Sequence, residues 1–214
     1  MIALLPLFIV EEYDDAEKKA SLKEDITLAE GLKAGDTSSM ERIFSKYYDH
    51  LYAFINRYLR HEEHAADMTQ EAFLKLFGAA SKVKTEKGIK NYLFTIAINL
   101  CHNEKKKKDN RVLKHSIDEL HEKGMSLADQ NTGHEKKFML QEMEDHLAEL
   151  VDNLPEKEKD VILMRKIGNM PFKEISDTLG FSLRYVKYLA SNAIEKITAG
   201  FDKAGFTVDG NFAI

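Results

Sequence analysis

The stretch Pro171-Phe-Lys-Glu-Ile-Ser-Asp-Thr-Leu-Gly-Phe-Ser-Leu-Arg-Tyr-Val-Lys187 decides the fold of the C-terminal part of this chain. Ser176, Gly180 and Val186 have the spacing of a DNA-binding helix-turn-helix, in which a small residue, a left-handed glycine and an apolar anchor join two helices. Ser182 is expected to cap the second helix through its hydroxyl. That helix would offer DNA, together with Ser182, the side chains of Arg184, Tyr185, Lys187, Tyr188 and Ser191. From spacing alone, a helical hairpin without a ligand stays open as an alternative.

Helical periodicity, with apolar residues three and four positions apart, covers most of the remaining chain. It is interrupted near Gly35, where Asp36 is a candidate N-cap for the next helix. Pro155 is expected to end one later helix and Gly200 the last one. We predict helices over about 26–59 (with that break), 62–79, 87–107, 138–154, 156–167, 171–179 and 183–199.

The predicted fold class is all-α, with two helical domains joined by a flexible linker, the C-terminal domain being the helix-turn-helix domain. The expected boundaries are an N-terminal extension over 1–24, a first domain over 25–112, an acidic linker over 113–137, a second domain over 138–200 and a tail over 201–214. The helical periodicity breaks where Gly124, Asn131 and Gly133 occur, and this break marks the linker.

Composition excludes several classes of protein. Hydrophobic residues make up 43% of the 214, enough to bury a core, and only three are proline. The single Cys101 excludes an internal disulfide and a cysteine-based zinc site, which fits a cytoplasmic location. No apolar run approaches the roughly 20 residues of a spanning helix, so no direct membrane insertion is expected. The apolar stretch Met1–Val10 lacks a basic flank and does not resemble a secretory signal.

The charge of −5 is distributed unevenly along the chain. Residues 81–114 hold 10 Lys or Arg against 3 Asp or Glu, whereas residues 115–153 hold 3 against 10. Residues 1–80 are also acidic, with 9 basic against 15 acidic side chains. This pattern indicates one local site for a polyanion on a chain that is otherwise acidic.

The basic segment coincides with the predicted helix over 87–107. Its lysine run, from Lys105 through Lys106 and Lys107 to Lys108, suits salt-sensitive binding of phosphates. Asn99 and Asn103 lie one turn apart and off the apolar stripe, which makes them candidates for reading unstacked bases. Tyr92, Leu93 and Ile96 are expected to be core residues instead of base platforms.

Three segments in this order resemble the sigma-70 family of transcription initiation factors. Ala65-Ala-Asp-Met-Thr-Gln-Glu-Ala-Phe-Leu-Lys-Leu-Phe77 is similar to the helix of that family that binds polymerase core. Asn91-Tyr-Leu-Phe-Thr-Ile-Ala-Ile-Asn99 looks like its helix that melts the promoter and reads the minus-10 element. Leu154-Pro-Glu-Lys-Glu-Lys-Asp-Val-Ile-Leu163, leading into the helix-turn-helix, resembles its minus-35-reading domain. The short two-domain form matches the extracytoplasmic-function (ECF) subgroup.

The resemblance implies that the domain over 25–112 is region 2-like, that over 138–200 is region 4-like, and that the partners are RNA polymerase core, promoter DNA and an anti-sigma factor. It implies polymerase contacts by Asp67, Gln70, Glu71, Phe73 and Leu76. By the same resemblance, Asn99, Asn103 and Lys105 to Lys108 would meet the melted element. The chain departs from the family pattern at several positions. Tyr92 replaces a usual tryptophan, and the lysine run replaces arginines, which bind phosphate bidentately. Ala66 replaces an acidic residue, Tyr185 a common threonine and Asn192 a frequent arginine.

Two other functions are compatible with parts of the sequence. A stand-alone helix-turn-helix regulator explains residues 154–200 but leaves the Asp67 helix and the basic helix without a role. A metalloenzyme built on His61 and His64, with His102, lacks the five-residue zinc-protease motif and an obvious third ligand. The sequence shows no phosphate-binding glycine loop and no nucleophile with a base, so we expect a non-enzyme without cofactor or metal.

The acidic linker suggests a means of control. It could lie against the basic helix and mask it in the free chain, it could be a plain tether, or control could belong to the anti-sigma factor that the resemblance implies. The sequence leaves these alternatives open.

Overall fold

Eight α-helices make up the described chain, which in a computed structural model comprises residues 15–83, 88–115 and 134–205, with side chains described for 20–83, 88–107 and 142–205. They are α1 (Asp15–Lys33), α2 (Thr37–Leu59), α3 (Glu62–Gly78), α4 (Gly88–His115), α5 (His134–Asp152), α6 (Glu156–Lys166), α7 (Phe172–Leu179) and α8 (Leu183–Lys203). A short 3-10 turn spans Ala80–Lys82. Since these ranges contain no strand, the predicted all-α class is confirmed.

Helices α1 to α4 form the first bundle, with α2 packed against all three others. The predicted cap is confirmed, because the Asp36 carboxylate accepts hydrogen bonds from the backbone N–H of Ser38 at 3.2 Å and of Ser39 at 3.0 Å. Gly31 lets α1 approach this cap closely, because a Cβ atom there would lie 2.0 Å from Ser39 Oγ. The buried apolar stripe of α2 consists of Ile43, Tyr47, Leu51, Phe54, Ile55 and Tyr58.

Helices α5 to α8 form the second bundle, in which α8 packs against the other three. The turn between α7 and α8 is a helix-turn-helix: Gly180 is left-handed with φ of 70°. Ser182 Oγ accepts from the backbone N–H of Tyr185 at 3.2 Å, which confirms the predicted cap. The Ser176 hydroxyl also fixes the turn, since it donates to the Phe181 carbonyl at 2.7 Å. Val186 is fully buried and anchors α8.

Several helix ends differ from the sequence prediction. Helix α8 runs through Gly200 to Lys203, because Gly200 serves a close approach instead of a stop: a Cβ atom there would lie 2.2 Å from Leu150 Cδ2. Helix α1 begins at Asp15, inside the expected extension, and α4 continues to His115, into the expected linker. The linker residues 116–133, the N-terminal 1–14 and the tail 206–214 lie outside the described residues.

The two bundles contact each other along two helix pairs, α4 with α7 and α2 with α6. At the first pair, the turn before α7 packs against the Phe94 ring of α4. A Cβ atom on Gly168 in this turn would lie 2.8 Å from Phe94 Cε1. Lys90 Nζ donates to the Asn169 carbonyl at 2.8 Å beside this contact. Within the described residues, no helix is both long and apolar enough to cross a membrane.

Candidate functional site

Helix α3 carries the five residues for which polymerase contacts were predicted, but on two opposite faces. Asp67, Gln70 and Glu71 are exposed. Phe73 is 2% exposed and Leu76 is 0% exposed, so both lie in the core of the first bundle. The prediction that these two side chains touch a partner is therefore wrong. Their burial against α2 fixes the position of α3 and turns the polar face outward.

Sequence reasoning missed Leu74, whose side chain is 70% exposed on the polar face of α3. It lies one turn after Gln70 and two turns after Asp67. We call these three residues and Glu71 the docking ridge. The positions i, i+3, i+4 and i+7 share one helix face, and a leucine on such a polar stripe is the signal that could have found it.

The docking ridge has different neighbours on its two sides. On the α2 side, the half-exposed ring of Phe44 lies 4.8 Å from the buried Phe73 ring and 4.9 Å from that of Tyr48. On the α4 side there is a groove of about 400 Å³. It is lined by His64, Met68, Glu71, Lys75, Leu100, Asn103, Glu104 and Lys107. A residue of the ridge and two predicted DNA-binding residues thus share one groove.

Helix α4 exposes the polar residues that were predicted to contact DNA. Asn99 and Asn103 are exposed one turn apart, and so are Lys105, Lys106 and Lys107. The side chain of Lys108 lies outside the described residues. The opposite stripe of this helix, including Leu93, Ala97 and Cys101, is buried. The helix is therefore held by its apolar stripe while its asparagines and lysines face outward.

Two of these lysines have acidic neighbours. Lys107 Nζ lies 3.4 Å from Glu104 Oε2 on the same helix, and Lys105 Nζ lies 3.5 Å from Glu156 Oε2 on α6. Because both lysine side chains are about half-exposed or more, such pairs contribute little to stability. They can exchange a carboxylate for a phosphate at little cost.

Helix α8 presents its predicted DNA-binding side chains on one exposed face. Arg184, Lys187 and Tyr188 point away from the bundle core, with Tyr188 56% exposed. Ser191, one turn further along, is half-buried. The first turn also forms an aromatic cluster, in which the Tyr185 ring lies 5.3 Å from Phe181 and 6.3 Å from Tyr188. Lys157 Nζ lies over the Phe181 ring at 5.4 Å and the Tyr185 ring at 5.9 Å, which adds positive charge to the cluster.

Two family models match this chain in the order of its two bundles. "Sigma-70 region 2" matches residues 43–111, from α2 into α4, and "Sigma-70, region 4" matches residues 145–197, from α5 into α8. Together they cover more than half of the sequence and both proposed DNA surfaces. The chain belongs to the sigma-70 family. The region 2 match is the part that a stand-alone helix-turn-helix regulator would not explain.

Curated relatives place this sigma factor in the ECF subgroup. It is 23% identical over 177 residues to the ECF RNA polymerase sigma-E factor of Haemophilus influenzae, covering 81% of this chain and 93% of the relative. It is 23% identical over 182 residues to the RNA polymerase sigma-H factor of Pseudomonas aeruginosa, with the same coverage of 81% and 93%.

Two solved structures share the fold of this sigma factor. CnrH in complex with the cytosolic domain of CnrY matches with a TM-score of 0.61 and 16% identity, covering 84% of this chain and 98% of that one. RpoE in complex with the anti-sigma factor NepR from Bartonella quintana matches with a TM-score of 0.59 and 14% identity, covering 76% and 96%. These matches extend the fold assignment across both regions.

The histidines that were candidates for a metal site, His61, His64 and His102, make contacts that hold the fold. His61 Nδ1 accepts from the backbone N–H of His64 at 3.3 Å and so caps α3. His102 lies on a different surface, with Nε2 3.0 Å from Asp160 Oδ2 of region 4. Among the side chains that the structure describes, no group of three His, Cys, Asp or Glu could hold a metal ion.

Proposed function

We propose that this ECF sigma factor binds RNA polymerase core through the docking ridge of α3 and directs it to promoters that α4 and α8 read. The observation that carries the proposal is the separation of faces on α3, where Phe73 and Leu76 are buried while Asp67, Gln70, Glu71 and Leu74 are exposed. The core residues fix a ridge that has no packing role of its own. We therefore expect this ridge to bind the surface of a partner protein.

The chemistry of the ridge defines the surface it would bind. Asp67 and Glu71 supply two carboxylates, Gln70 an amide, and Leu74 an exposed apolar anchor between them. This combination suits a basic surface with an apolar pocket, such as a coiled coil of the largest polymerase subunit. Charge complementarity would speed and orient the encounter, and burial of Leu74 would supply most of the affinity.

The exposed face of α4 is proposed to hold the melted minus-10 element. The lysines Lys105 to Lys107 would neutralise phosphates, and the amides of Asn99 and Asn103 would read the edges of unpaired bases. The groove beside α3, lined by Asn103 and Lys107, lies next to the docking ridge. Polymerase and the opened strand would therefore meet on adjacent surfaces of region 2.

The exposed face of α8 is proposed to enter the major groove at the minus-35 element. Arg184 and Lys187 can donate to guanine or phosphate, and the rings of Tyr185 and Tyr188 can contact apolar base edges such as the thymine methyl. Ser182 caps the helix whose N-terminal residues approach the bases. The half-buried Ser191 would reach DNA only from the edge of this face.

The remaining expectations follow from membership in the subgroup. We infer an anti-sigma partner, because the two solved structures with this fold are CnrH with the cytosolic domain of CnrY and RpoE with the anti-sigma factor NepR. Initiation by polymerase requires a cytoplasmic location and no reaction by the sigma factor's own residues, so we propose a cytoplasmic non-enzyme. We retain 25–112 and 138–200 as the boundaries of the two functional domains.

Run-off transcription tests this proposal. Purified core from the source bacterium is given promoter fragments of that genome, with the wild-type chain, with a ridge variant carrying Gln70→Ala and Leu74→Ala, or without sigma factor. We expect specific transcripts with the wild type and their loss with the variant at equal concentration. Duplex binding by the chain alone, with no transcript in the presence of core, would instead favour a stand-alone regulator.

A further inference from the structure

The first two turns of α8 expose two aromatic rings among the side chains proposed to enter the major groove. Tyr185 is 36% exposed and Tyr188 is 56% exposed. Their ring centroids lie 6.3 Å apart and the ring planes differ by 18°, so the two rings lie side by side and nearly parallel. We call these two residues the tyrosine pair. They form an apolar patch on a helix face that also carries the cations Arg184 and Lys187.

The tyrosine pair is held in place by the turn between α7 and α8. The Phe181 ring meets the Tyr185 ring edge to face, with centroids 5.3 Å apart and planes at 75°. The Phe181 carbonyl accepts from the Ser176 hydroxyl at 2.7 Å, and Ser182 Oγ accepts from the backbone N–H of Tyr185 at 3.2 Å. These contacts fix both the backbone and one ring before any ligand is present. A surface that is ordered in advance loses less conformational entropy on binding.

Positive charge surrounds the tyrosine pair. Lys157 Nζ on α6 lies 5.9 Å from the centroid of the Tyr185 ring, and Arg184 and Lys187 are exposed beside the two tyrosines on α8. An apolar patch bordered by three cations suits duplex DNA, because the cations can bind phosphates while the rings lie against base edges.

The apolar character of the pair determines which base it can read. Thymine is the base that presents a methyl group to the major groove, whereas guanine, adenine and cytosine present hydrogen-bond donors and acceptors there. A ring face packs against a methyl group without leaving a polar group unsatisfied. Covering the polar edge of another base with a ring would cost the hydrogen bonds that this edge makes with water. The tyrosine pair therefore favours thymine.

The separation of the two rings sets the spacing of the bases. Successive bases on one strand of B-form DNA rise by about 3.4 Å, so rings 6.3 Å apart correspond to roughly two base-pair steps. Tyr185 and Tyr188 are three positions apart, which places both on one face of the helix. One ring can thus meet one thymine while the other ring meets a second thymine further along the groove.

We propose that the tyrosine pair is a thymine-reading surface, so that the minus-35 element of this sigma factor contains two thymines about two base-pair steps apart that are recognised through their methyl groups. The inference rests on the proposed role of α8 in DNA binding and extends it by naming the bases. Recognition by methyl contact differs from the bidentate hydrogen bonds through which arginine or lysine reads guanine.

The test uses the full chain and duplex DNA without polymerase, since the tyrosine pair is exposed in the structure. The wild type first selects, at low salt, from duplexes with a randomised segment of about ten base pairs, one helical turn. The selected sequence is then made with each thymine replaced in turn by deoxyuridine, which lacks only the methyl group. Fluorescence anisotropy gives the affinities of the wild type, of a tyrosine variant carrying Tyr185→Ser and Tyr188→Ser, and of the control Lys187→Ala, which keeps both rings.

We expect two replacements that each weaken binding by the wild type about fourfold, the factor for returning one buried methyl-sized group to water. The tyrosine variant should bind the thymine and deoxyuridine duplexes equally. Lys187→Ala should bind both more weakly and with a smaller dependence on salt, yet keep the fourfold difference between them. If the double variant does not fold, Tyr188→Ser alone takes its place and should lose the effect at one of the two thymines.

A selected sequence without such a thymine pair, or deoxyuridine replacements that leave wild-type affinity unchanged, overturns the inference. A methyl effect that persists in the tyrosine variant also overturns it, because other side chains would then read thymine. Methyl-dependent duplex binding combined with failed run-off transcription would count against the proposed function and not against thymine reading. Successful run-off from promoters whose minus-35 element tolerates deoxyuridine would overturn this inference alone.

Discussion

The interior of each region is held by different forces from the polar seam between the regions, which we define as Tyr58 and His102 of region 2 with Asp160 of region 4. In region 2, Phe54 and Phe94 are fully buried with ring centroids 5.3 Å apart. At the seam, Asp160 is held by the Tyr58 hydroxyl and His102. Apolar burial yields about 25 cal/mol per Å², whereas a hydrogen bond exchanged with water nets about 1 kcal/mol. The polar contacts of the seam are therefore exchanged with water more easily than the apolar contacts of either interior.

The largest expected effect is loss of the region 2 core. Phe54→Ala should lower the free energy of unfolding by about 3–5 kcal/mol, because it removes a fully buried ring and leaves a cavity. Urea unfolding followed by circular dichroism measures this loss. Phe44→Ala, at a ring 41% exposed on the same helix, is the matched control and should cost about 1 kcal/mol or less. Equal losses for the two variants would contradict the description of this core.

The same contrast explains what the sequence could predict. Apolar periodicity identified the helices, and local chemistry identified the caps at Asp36 and Ser182. These features depend on neighbours in sequence. The assignment of α3 failed at Phe73, because a motif shared by a family does not distinguish residues that contact a partner from those that fix the helix.

The second largest expected effect distinguishes the exposed docking ridge of α3 from the buried residues beneath it. Leu74→Ala should weaken binding to polymerase core by about 2 kcal/mol or more, roughly 30-fold, because it removes the apolar anchor. Its effect on the free energy of unfolding should stay within about 0.5 kcal/mol, since the side chain is 70% exposed. Titration with labelled core and urea unfolding measure the two effects.

Phe73→Ala provides the control for that experiment and should show the reverse, a large loss of stability through the core. If Leu74→Ala bound core normally while remaining folded, the docking ridge would be misplaced. A loss of stability in Leu74→Ala comparable to that in Phe73→Ala would mean that Leu74 is a core residue.

The seam had no sequence signal. Tyr58 and Asp160 are 102 positions apart, and an aspartate among the alternating charges of Glu156 to Asp160 resembles any exposed helix start. Only the fold shows that this acid is buried by the other region. Gly200 was misassigned for a similar reason, since the side chain it accommodates, Leu150, belongs to another helix.

A substitution at Gly168 should strain the contact between the turn before α7 and the Phe94 ring of region 2. In Gly168→Ala the added Cβ would lie 2.7 Å from the Met164 carbonyl and 2.8 Å from Phe94 Cε1. Overpacking costs about 1–3 kcal/mol. Separation of the two regions would relieve it, so the distance between spin labels at Gly78→Cys and Asp202→Cys, both exposed, should lengthen. Glu142→Ala, at an exposed position of α5, is the control and should leave the distance unchanged.

The smallest expected effect is a pH dependence of the seam at His102. Its hydrogen bond with Asp160 raises the pKa of His102, and burial opposes that rise. Glu156 on α6 also raises this pKa, while Lys106 on the same helix lowers it. Tyr58 of α2, which faces the same carboxylate, has its own pKa raised by burial and by Asp160, so it stays protonated.

Because the pKa of His102 is higher when the two regions are packed together than when they are apart, protonation favours the packed arrangement. This contribution is fully present below the ordinary histidine pKa of about 6.5 and is lost as pH rises through the raised value. The distance between the regions should therefore lengthen from acid toward alkaline pH. Lys166, whose pKa is lowered by burial to about 8, titrates near this range at the end of α6. His102→Gln separates the two groups: it keeps Lys166 and should flatten the profile, whereas an unchanged profile would assign the pH dependence to Lys166.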